Sequence, residues 1–336
     1  MKTKFMWRLT AILLLVFVAF ACSNSKSPSP KDDTGQSIQK LDEINLRLKW
    51  LIQVHSAGEI VASTTGLCEK EGLKCNIKPG GPDFDSIKLV AAGEDDYGVT
   101  SADQLILARS KGIPIIAIGV LFQESPVCFF AKKQMGLKTP NDFLGKRIGV
   151  KFGTNAETEY VVLLKRAGID RTKLKEVPVK FDLKPFLLGQ VDIWPGIESN
   201  EPLTAEENGV EVDILRSRDF GIKTYSNVYF TTEERVRNNP DQIRRFMNAM
   251  AAGWKFVREN PDIAIEAVLK ANNLLDKKHE QKALLLTLPI IFPDNAPNTF
   301  GNMTKEGWEA TQSVLLDGGL LQEAIDLDKC MYTREK

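Results

Sequence analysis

The stretch Gly145–Tyr160, GKRIGVKFGTNAETEY, decides the fold. Arg147–Lys151 has the apolar character of a short buried strand, and Phe152–Asn155 follows as a tight turn. The spacing predicts a helix from Ala156 onward, with glutamates in its first turn that suit the helix dipole. Such a junction presents unpaired backbone N–H groups at the carboxyl edge of a sheet, where α/β proteins bind ligands. An ordinary capped turn has the same features, so the interpretation depends on polar residues at other strand ends.

The alternation of strand and helix continues on both sides of this stretch. The pattern predicts four strands with three intervening helices over Leu46–Leu121, and four more strands over Arg147–Leu215. In the first set the predicted strands are Leu46–Trp50, Leu73–Lys78, Tyr97–Thr100 and Ile113–Leu121, and the predicted helices are Ala57–Lys70, Phe84–Ala91 and Ala102–Ser110. This alternation is typical of mainly parallel sheets with helices on both faces. Because 336 residues exceed what one core usually supports, we predict an α/β protein of two lobes.

Two apolar β-rich segments, Pro126–Ala131 and Ser226–Thr231, connect the two sets and are predicted to form a two-segment hinge. The helices after Asn239–Pro240 need a preformed surface on which to pack, so we assign them to the first lobe. The predicted boundaries are 1–21 for a signal peptide, 22–43 for a flexible tether, 44–128 and 229–336 for the first lobe, and 129–228 for the second.

The N-terminus has the features of an export signal. A basic segment, Met1–Arg8, precedes the apolar run Leu9–Phe20, which is too short to span a bilayer. The end of this run and the two residues after it, Val18–Cys22, resemble a bacterial lipoprotein processing site. The resemblance implies lipidation of Cys22 and a lipid anchor at the cell envelope, either in the periplasm or on the outer face of the cytoplasmic membrane.

Composition and motifs argue against several classes of protein. Basic and acidic residues number 44 each, and loss of the leader would leave a net charge of −3, so no nucleic-acid partner is expected. The sequence lacks G-x-S-x-G, H-E-x-x-H, phosphate-loop and G-x-G-x-x-G signatures, so we predict no enzyme activity and no cofactor. Two histidines and no C-x-x-C make a metal site improbable. A disulfide between Cys68 and Cys75 is permitted by export but is not proved by the cysteine count.

Polar and aromatic residues accumulate just beyond the predicted strand ends, where parallel sheets bind ligands. Trp194 is prominent because a strand-end tryptophan followed by Pro-Gly would be held on a rigid turn and could stack on a planar ligand. A core tryptophan is the alternative. The residues that we predict to bind ligand are Trp50, Gln53, His55, Thr100, Ser101, Gln104, Gln123, Gly153, Thr154, Asn155, Trp194, Glu198 and Tyr225.

Several segments carry a family resemblance through their order along the chain. They include WLIQVHSAGEIVA at 50–62, PGGP at 79–82, SADQ at 101–104, KGIP at 111–114 and DFLGKRIGV at 142–150. Together they are similar to the substrate-binding proteins of ABC importers. The similar branch is the SsuA/THI5-like family, which binds nitrate, sulfonates, taurine and thiamine pyrimidines and has riboflavin-binding relatives. This resemblance implies a two-lobed, hinge-closing type II periplasmic-binding-protein fold with ABC permease and ATPase partners.

Three functions stay open. The first is delivery of a small planar nitrogen heterocycle, a thiamine pyrimidine precursor or a riboflavin-like molecule, because amides with little local basic charge suit ring N–H groups. The second is binding of nitrate, an alkanesulfonate or taurine, which needs a strong anion grip. The third is a pyrimidine-synthase-like enzyme. The export signal argues against the third, and so does the absence of the cysteine-rich cluster of those enzymes.

Overall fold

The computed structural model describes residues 40–293 and 300–332. Apart from Lys40, these residues belong to one compact unit, Leu41–Lys336. The predicted signal peptide, nearly all of the predicted tether and the predicted lipidation site Cys22 lie outside the described residues.

The strands form two five-stranded sheets. In the first sheet the order is β2-β1-β3-β10-β4, and in the second it is β7-β6-β8-β5-β9. The strands are β1 (Asp42–Arg47), β2 (Leu73–Lys78), β3 (Tyr97–Thr100), β4 (Ile115–Phe122), β5 (Val127–Lys132), β6 (Arg147–Val150), β7 (Lys175–Pro178), β8 (Ile193–Ile197), β9 (Val212–Arg216) and β10 (Ser226–Thr232).

Both sheets are mainly parallel, as predicted, and each contains one reversed strand. In the first sheet β10 runs antiparallel to β3 and β4, and in the second β5 runs antiparallel to β8 and β9. The remaining strands of each sheet therefore point the same way. Their carboxyl ends gather at one edge of each sheet, which is the edge that suits a ligand site.

Helices cover the two sheets. They are α1 (Ala57–Thr64), α2 (Leu67–Lys70), α3 (Ser86–Ala91), α4 (Ala102–Ser110), α5 (Asn155–Arg166), α6 (Lys184–Leu187), α7 (Glu201–Glu207), α8 (Glu233–Asn238), α9 (Pro240–Glu259), α10 (Pro261–Ala271), α11 (Lys277–Ile291) and α12 (Lys305–Gly318). The one helix expected over Ala57–Lys70 is two, because the chain turns at Gly66 with a positive φ of 78° that suits glycine. Cys68 and Cys75 form a disulfide between α2 and β2, which settles the pairing left open by the sequence.

The chain passes between the sheets at 123–126 and 221–225. The predicted hinge segments, Pro126–Ala131 and Ser226–Thr231, instead form most of the reversed strands β5 and β10. Their apolar character comes from central positions in the sheets rather than from a flexible connection. We therefore propose lobe boundaries a few residues earlier than the predicted 128/129 and 228/229.

The C-terminal helices do not all belong to the first lobe alone. As predicted, α9 and α10 pack on α1, but α11 also contacts α7, and α12 contacts both α4 and α5. His279 of α11 bonds to two residues of the second-lobe region, through Nδ1 to Glu207 Oε2 (2.8 Å) and through Nε2 to Asn200 Oδ1 (3.0 Å). The two lobes are therefore joined by packing as well as by the two crossings.

Candidate functional site

A cavity of about 1120 Å³ opens where the carboxyl edges of the two sheets face each other. The loops after β1, β2 and β3 line it from the first sheet, and the loops after β6 and β7 together with the end of β8 line it from the second. A volume of this size accommodates a drug-sized or larger small molecule. The structure thus brings together the two strand-end regions that the sequence placed in different lobes.

Eight of the thirteen predicted ligand residues line this cavity. They come from both lobes, and the stretch Gly145–Tyr160 contributes three of them. The eight are Trp50, Gln53, His55, Thr100, Gln104, Gly153, Thr154 and Asn155.

The predicted role of Trp194 needs correction. Residues Pro195 and Gly196 do not form a turn; they continue β8, so that Trp194 lies within the strand rather than at its end. Its side chain is wholly buried and packs in a cluster with Phe130 and Phe186. Since Trp194 does not line the cavity, we do not propose it as a stacking face.

Glu198 also lies outside the cavity lining, and both oxygens of its carboxylate accept hydrogen bonds from arginines. Arg216 Nε donates to Glu198 Oε2 at 2.6 Å, and Arg218 Nη1 donates to Glu198 Oε1 at 2.6 Å. This carboxylate holds the end of β8 to β9 and the turn after it. It is therefore a structural ion pair in this arrangement.

The three remaining predicted residues lie outside the cavity lining, and two of them, Gln123 and Tyr225, have contacts elsewhere. Gln123 donates to Asn302 O (3.2 Å), and the Tyr225 hydroxyl lies 3.4 Å from Thr304 Oγ1. Ser101 is buried and precedes α4 without forming a side-chain cap. We therefore do not propose these three as ligand contacts.

Four solvent-accessible aromatic rings stand on the cavity wall, two from each lobe, beside the buried ring of Phe122. Trp50 and Phe84 follow β1 and β2, while Phe152 and Phe181 follow β6 and β7. Phe84, Phe152 and Phe181 are 49%, 52% and 40% exposed, which is unusual for such large apolar side chains. Trp50 and Phe181 meet across the cleft with ring centroids 4.1 Å apart. We call these four residues the aromatic rim.

Lys49 places a cationic group between the lobes. Its Nζ donates to Asn155 Oδ1 at 3.2 Å, joining the end of β1 to the first residue of α5. Burial lowers the pKa of Lys49, and the charges of Asp103 and Glu159 oppose that shift. No carboxylate within the described residues forms an ion pair with Lys49, so its ammonium and the N-terminus of α5 give this part of the cavity a positive character.

Basic charge is more abundant here than the sequence suggested. Lys49, Lys151, Lys180 and Lys184 all line the cavity. Lys151 is neutralised by Glu201, with Nζ and Oε1 2.6 Å apart and both side chains largely buried. The expectation of little local basic charge is therefore wrong. Carboxylates line the same cavity in similar number, namely Glu59, Asp83, Asp85, Asp182 and Glu201.

A buried glutamate and a half-buried histidine of the first helical turns also line the cavity. Glu59 accepts a hydrogen bond at Oε1 from the Tyr229 hydroxyl (2.5 Å), and burial raises the pKa of its carboxyl to about 7. His55 Nε2 lies 2.7 Å from Ser199 Oγ, and burial lowers the pKa of its ring to about 4. The imidazole is therefore neutral at physiological pH.

Sequence reasoning missed the exposed rings and several polar lining residues. A usable signal was present for the rings, because Phe84, Phe152 and Phe181 stand among turn-forming polar residues where no core can cover them. Asn227 gave no comparable signal. It lines the cavity from within β10 and is the one non-glycine residue with positive φ (48°) in the part of the chain that the structure describes. Such a backbone is concentrated at functional sites.

The fold and the cavity define the class of protein: two α/β lobes enclosing a solute-sized cleft, the periplasmic-binding-protein arrangement. The periplasmic aliphatic sulphonate binding protein SsuA from Escherichia coli has this fold, with a TM-score of 0.69 at 17% identity over 88% of this chain and 93% of that one. The family model described as NMT1/THI5 like matches residues 53–264. The chain belongs to the NMT1/THI5 like family.

The relatives of this chain are named for different functions. The chain is 24% identical to the riboflavin-binding protein RibY of Chloroflexus aurantiacus, over 97% of this chain and 96% of that protein. It is 26% identical to the formylaminopyrimidine-binding protein of Halalkalibacterium halodurans, with 91% and 92% covered. It is also 25% identical to the 4-amino-5-hydroxymethyl-2-methylpyrimidine phosphate synthase of Legionella pneumophila, with 87% and 91% covered.

None of the helices within 40–293 and 300–332 has the length and apolar character to cross a membrane.

Proposed function

We propose that this chain is an exported solute-binding protein that captures a small planar nitrogen heterocycle and delivers it to ABC permease and ATPase subunits. The ligand class is that of thiamine pyrimidine precursors or flavins. The aromatic rim carries the proposal, because two rings from each lobe converge on one cleft. Stacked aromatic pairs contribute about 0.5–1.5 kcal/mol beyond burial, so a flat ligand would stabilise closure of the lobes. The ligands for which the riboflavin- and formylaminopyrimidine-binding relatives are named support the same class of ligand.

An anion such as nitrate or an alkanesulfonate is the second candidate. Lys49, the Asn155 side chain and the N-terminus of α5 offer donors and positive charge in the same cavity. The exposed rings favour the heterocycle, since a small anion has no flat apolar surface that could stack on the four rings.

A synthase like the Legionella relative is the third candidate, and the cysteines argue against it. In the part of the chain that the structure describes, the free cysteines Cys128 and Cys330 are buried, and neither lines the cavity. Incubation of the purified protein with pyridoxal phosphate should give no pyrimidine product. Turnover without added partners would contradict the binding function.

Tryptophan fluorescence tests the proposed ligand class. We expect hydroxymethylpyrimidine, formylaminopyrimidine or riboflavin to change the emission at micromolar concentration and taurine and nitrate to have no such effect. Trp50→Leu should lose about three- to tenfold in affinity and most of the signal, in line with the loss of one stacked ring. Trp194→Phe is the matched control, because it removes a tryptophan that does not line the cavity. Tight binding of taurine or nitrate alone would contradict the proposal.

We further propose that Cys22 carries lipid and anchors the protein at the envelope. The lipoprotein-like sequence at 18–22 supports this location. A Cys22→Ala variant should leave the membrane fraction, and membrane retention of the processed variant would contradict the anchor.

A further inference from the structure

The carboxyl of Glu59 ends a short chain of hydrogen bonds that begins in the protein core. Trp254 Nε1 donates to the Tyr229 hydroxyl (3.3 Å), and that hydroxyl donates to Glu59 Oε1 (2.5 Å). An indole N–H can only donate, so the Tyr229 proton points toward Glu59. Oε1 is therefore an acceptor with its partner in place.

The second oxygen of the same carboxyl has no partner. Glu59 Oε2 is shielded from solvent and makes no hydrogen bond to any described residue, although only 1% of the residue is exposed. An ionised carboxyl leaves a bare charge at Oε2, and a protonated one leaves an unused O–H there. Both states are costly in a buried position. Because Glu59 lines the cavity, an occupant of the cavity is the group best placed to satisfy this oxygen.

Within the described residues, no lysine, arginine or histidine forms an ion pair with Glu59. Only the Tyr229 and Trp254 donors and its own backbone N–H oppose the effect of burial on the pKa of Glu59. His55 lies four residues earlier and is held neutral by burial, and Lys49 Nζ donates to Asn155 Oδ1 instead. A donor in the cavity would therefore further stabilise the ionised carboxylate.

We propose that Glu59 Oε2 accepts a hydrogen bond from an N–H group of the bound ligand. This inference rests on the proposed heterocycle-binding function and narrows its ligand class. The edge of the heterocycle that reaches Glu59 carries a ring N–H, an exocyclic amino group or a protonated ring nitrogen. A ring with acceptors alone would leave Oε2 of the ionised carboxylate unpaired, and a sulfonate would be repelled by it.

Matched ligands test this inference by calorimetric titration. One pair is riboflavin and its N3-methyl derivative, and another is an aminopyrimidine and its dimethylamino derivative. Methylation of the donor should weaken binding to the wild type by about ten- to a hundredfold, the range for a hydrogen bond to a charged group. In Glu59→Gln the two members of the responsive pair should bind about equally. An equal effect of methylation in wild type and Glu59→Gln would overturn the proposal.

Glu280→Gln is the matched control. Glu280 is a second buried carboxyl with a raised pKa, and it accepts from the Val54 N–H without lining the cavity. This variant should keep the wild-type discrimination between methylated and unmethylated ligands. Loss of discrimination in both variants would show a general structural effect and would overturn the proposal.

The pH dependence gives a second readout that a purely structural role of Glu59 would not produce. Affinity for a neutral donor ligand should rise about tenfold per pH unit up to roughly 7 and level off above it, because the carboxylate form accepts the N–H. Tyr229→Phe removes a bond that stabilises the ionised form, so the midpoint should move to higher pH. This variant decides the question even if Glu59→Gln does not fold. A wild-type affinity independent of pH from 5 to 8 would overturn the proposal for Glu59. Failure of every heterocycle to bind would instead contradict the proposed function itself.

Discussion

Glu159 occupies a position on α5 where an ionised carboxylate is costly. The side chain is buried, Thr224 Oγ1 donates to Oε1 at 3.1 Å, and Oε2 has no hydrogen-bond partner within the described residues. Burial raises the pKa of Glu159 to about 7, and the nearby charge of Asp103 adds to the shift. The folded state therefore holds this proton over a pH range where an unfolded chain releases it.

This residue predicts a pH-dependent stability. Because the folded pKa is raised, the contribution of Glu159 is fully present below about pH 4.5 and is lost as the pH rises through about 7. The loss amounts to roughly 3 kcal/mol for this group. Urea unfolding of Glu159→Gln from pH 4.5 to 8 should show a shallower fall than the wild type. Glu309→Gln, at an exposed site on α12, should follow the wild type; an unchanged slope in Glu159→Gln would contradict the assignment.

Tryptophans show how far sequence reasoning reaches at the scale of single residues. Both Trp50 and Trp194 stand near strand ends in the sequence, but one lines the cavity and the other is in the core. The difference arises because Pro195 is tolerated inside β8: it pairs with Phe129 of β5, while the opposite side of β8 meets β6 only at Ile193. The missing N–H therefore disrupts no ladder there. Pairing of this kind depends on distant segments and cannot be deduced from local sequence.

At the scale of elements, α1 and α9 approach closely through glycine. A Cβ on Gly253 would lie 2.2 Å from the Gly58 carbonyl oxygen, and a Cβ on Gly58 would lie 2.3 Å from the Trp254 ring. Backbone and a packed indole leave no room to adjust. These two helices therefore require glycine at their contact.

We expect Gly253→Ala to destabilise the fold by about 1–3 kcal/mol through overpacking, despite the better helix propensity of alanine. The free energy of unfolding in urea measures the effect. Ala251→Ser, at a half-buried position of the same helix, should change it by less than about 1 kcal/mol. If Gly253→Ala were as stable as the wild type, the described helix contact would be incorrect.

Elements bounded in the sequence by glycine, proline or N-cap residues were predicted well. The predicted bounds of β2, β3 and α4 agree with the structure. Glycine, proline or N-cap residues bound these segments, so local chemistry determines where they begin and end. The predicted hinge segments lie a few residues beyond the crossings, because an apolar β-rich segment can equally be a connection or a central strand. Only the pairing of β5 and β10 with partners far along the chain distinguishes the two.

At the scale of the whole molecule, the two crossings at 123–126 and 221–225 are where rotation of the lobes would be concentrated. We expect a saturating heterocycle to reduce the radius of gyration measured by small-angle X-ray scattering. The contacts of α11 and α12 with the second-lobe region limit this change, so the decrease should be small. A radius of gyration that does not change on ligand addition would contradict closure about these segments.

The contact between Trp50 and Phe181 has a consequence for the rate of capture. Because the two rings touch across the cleft, solute entering between them must wait until they separate. At high solute concentration the observed uptake rate then approaches the rate at which the rings part, and adding more solute makes no difference. The protein itself, rather than the supply outside the cell, would set the upper speed of loading.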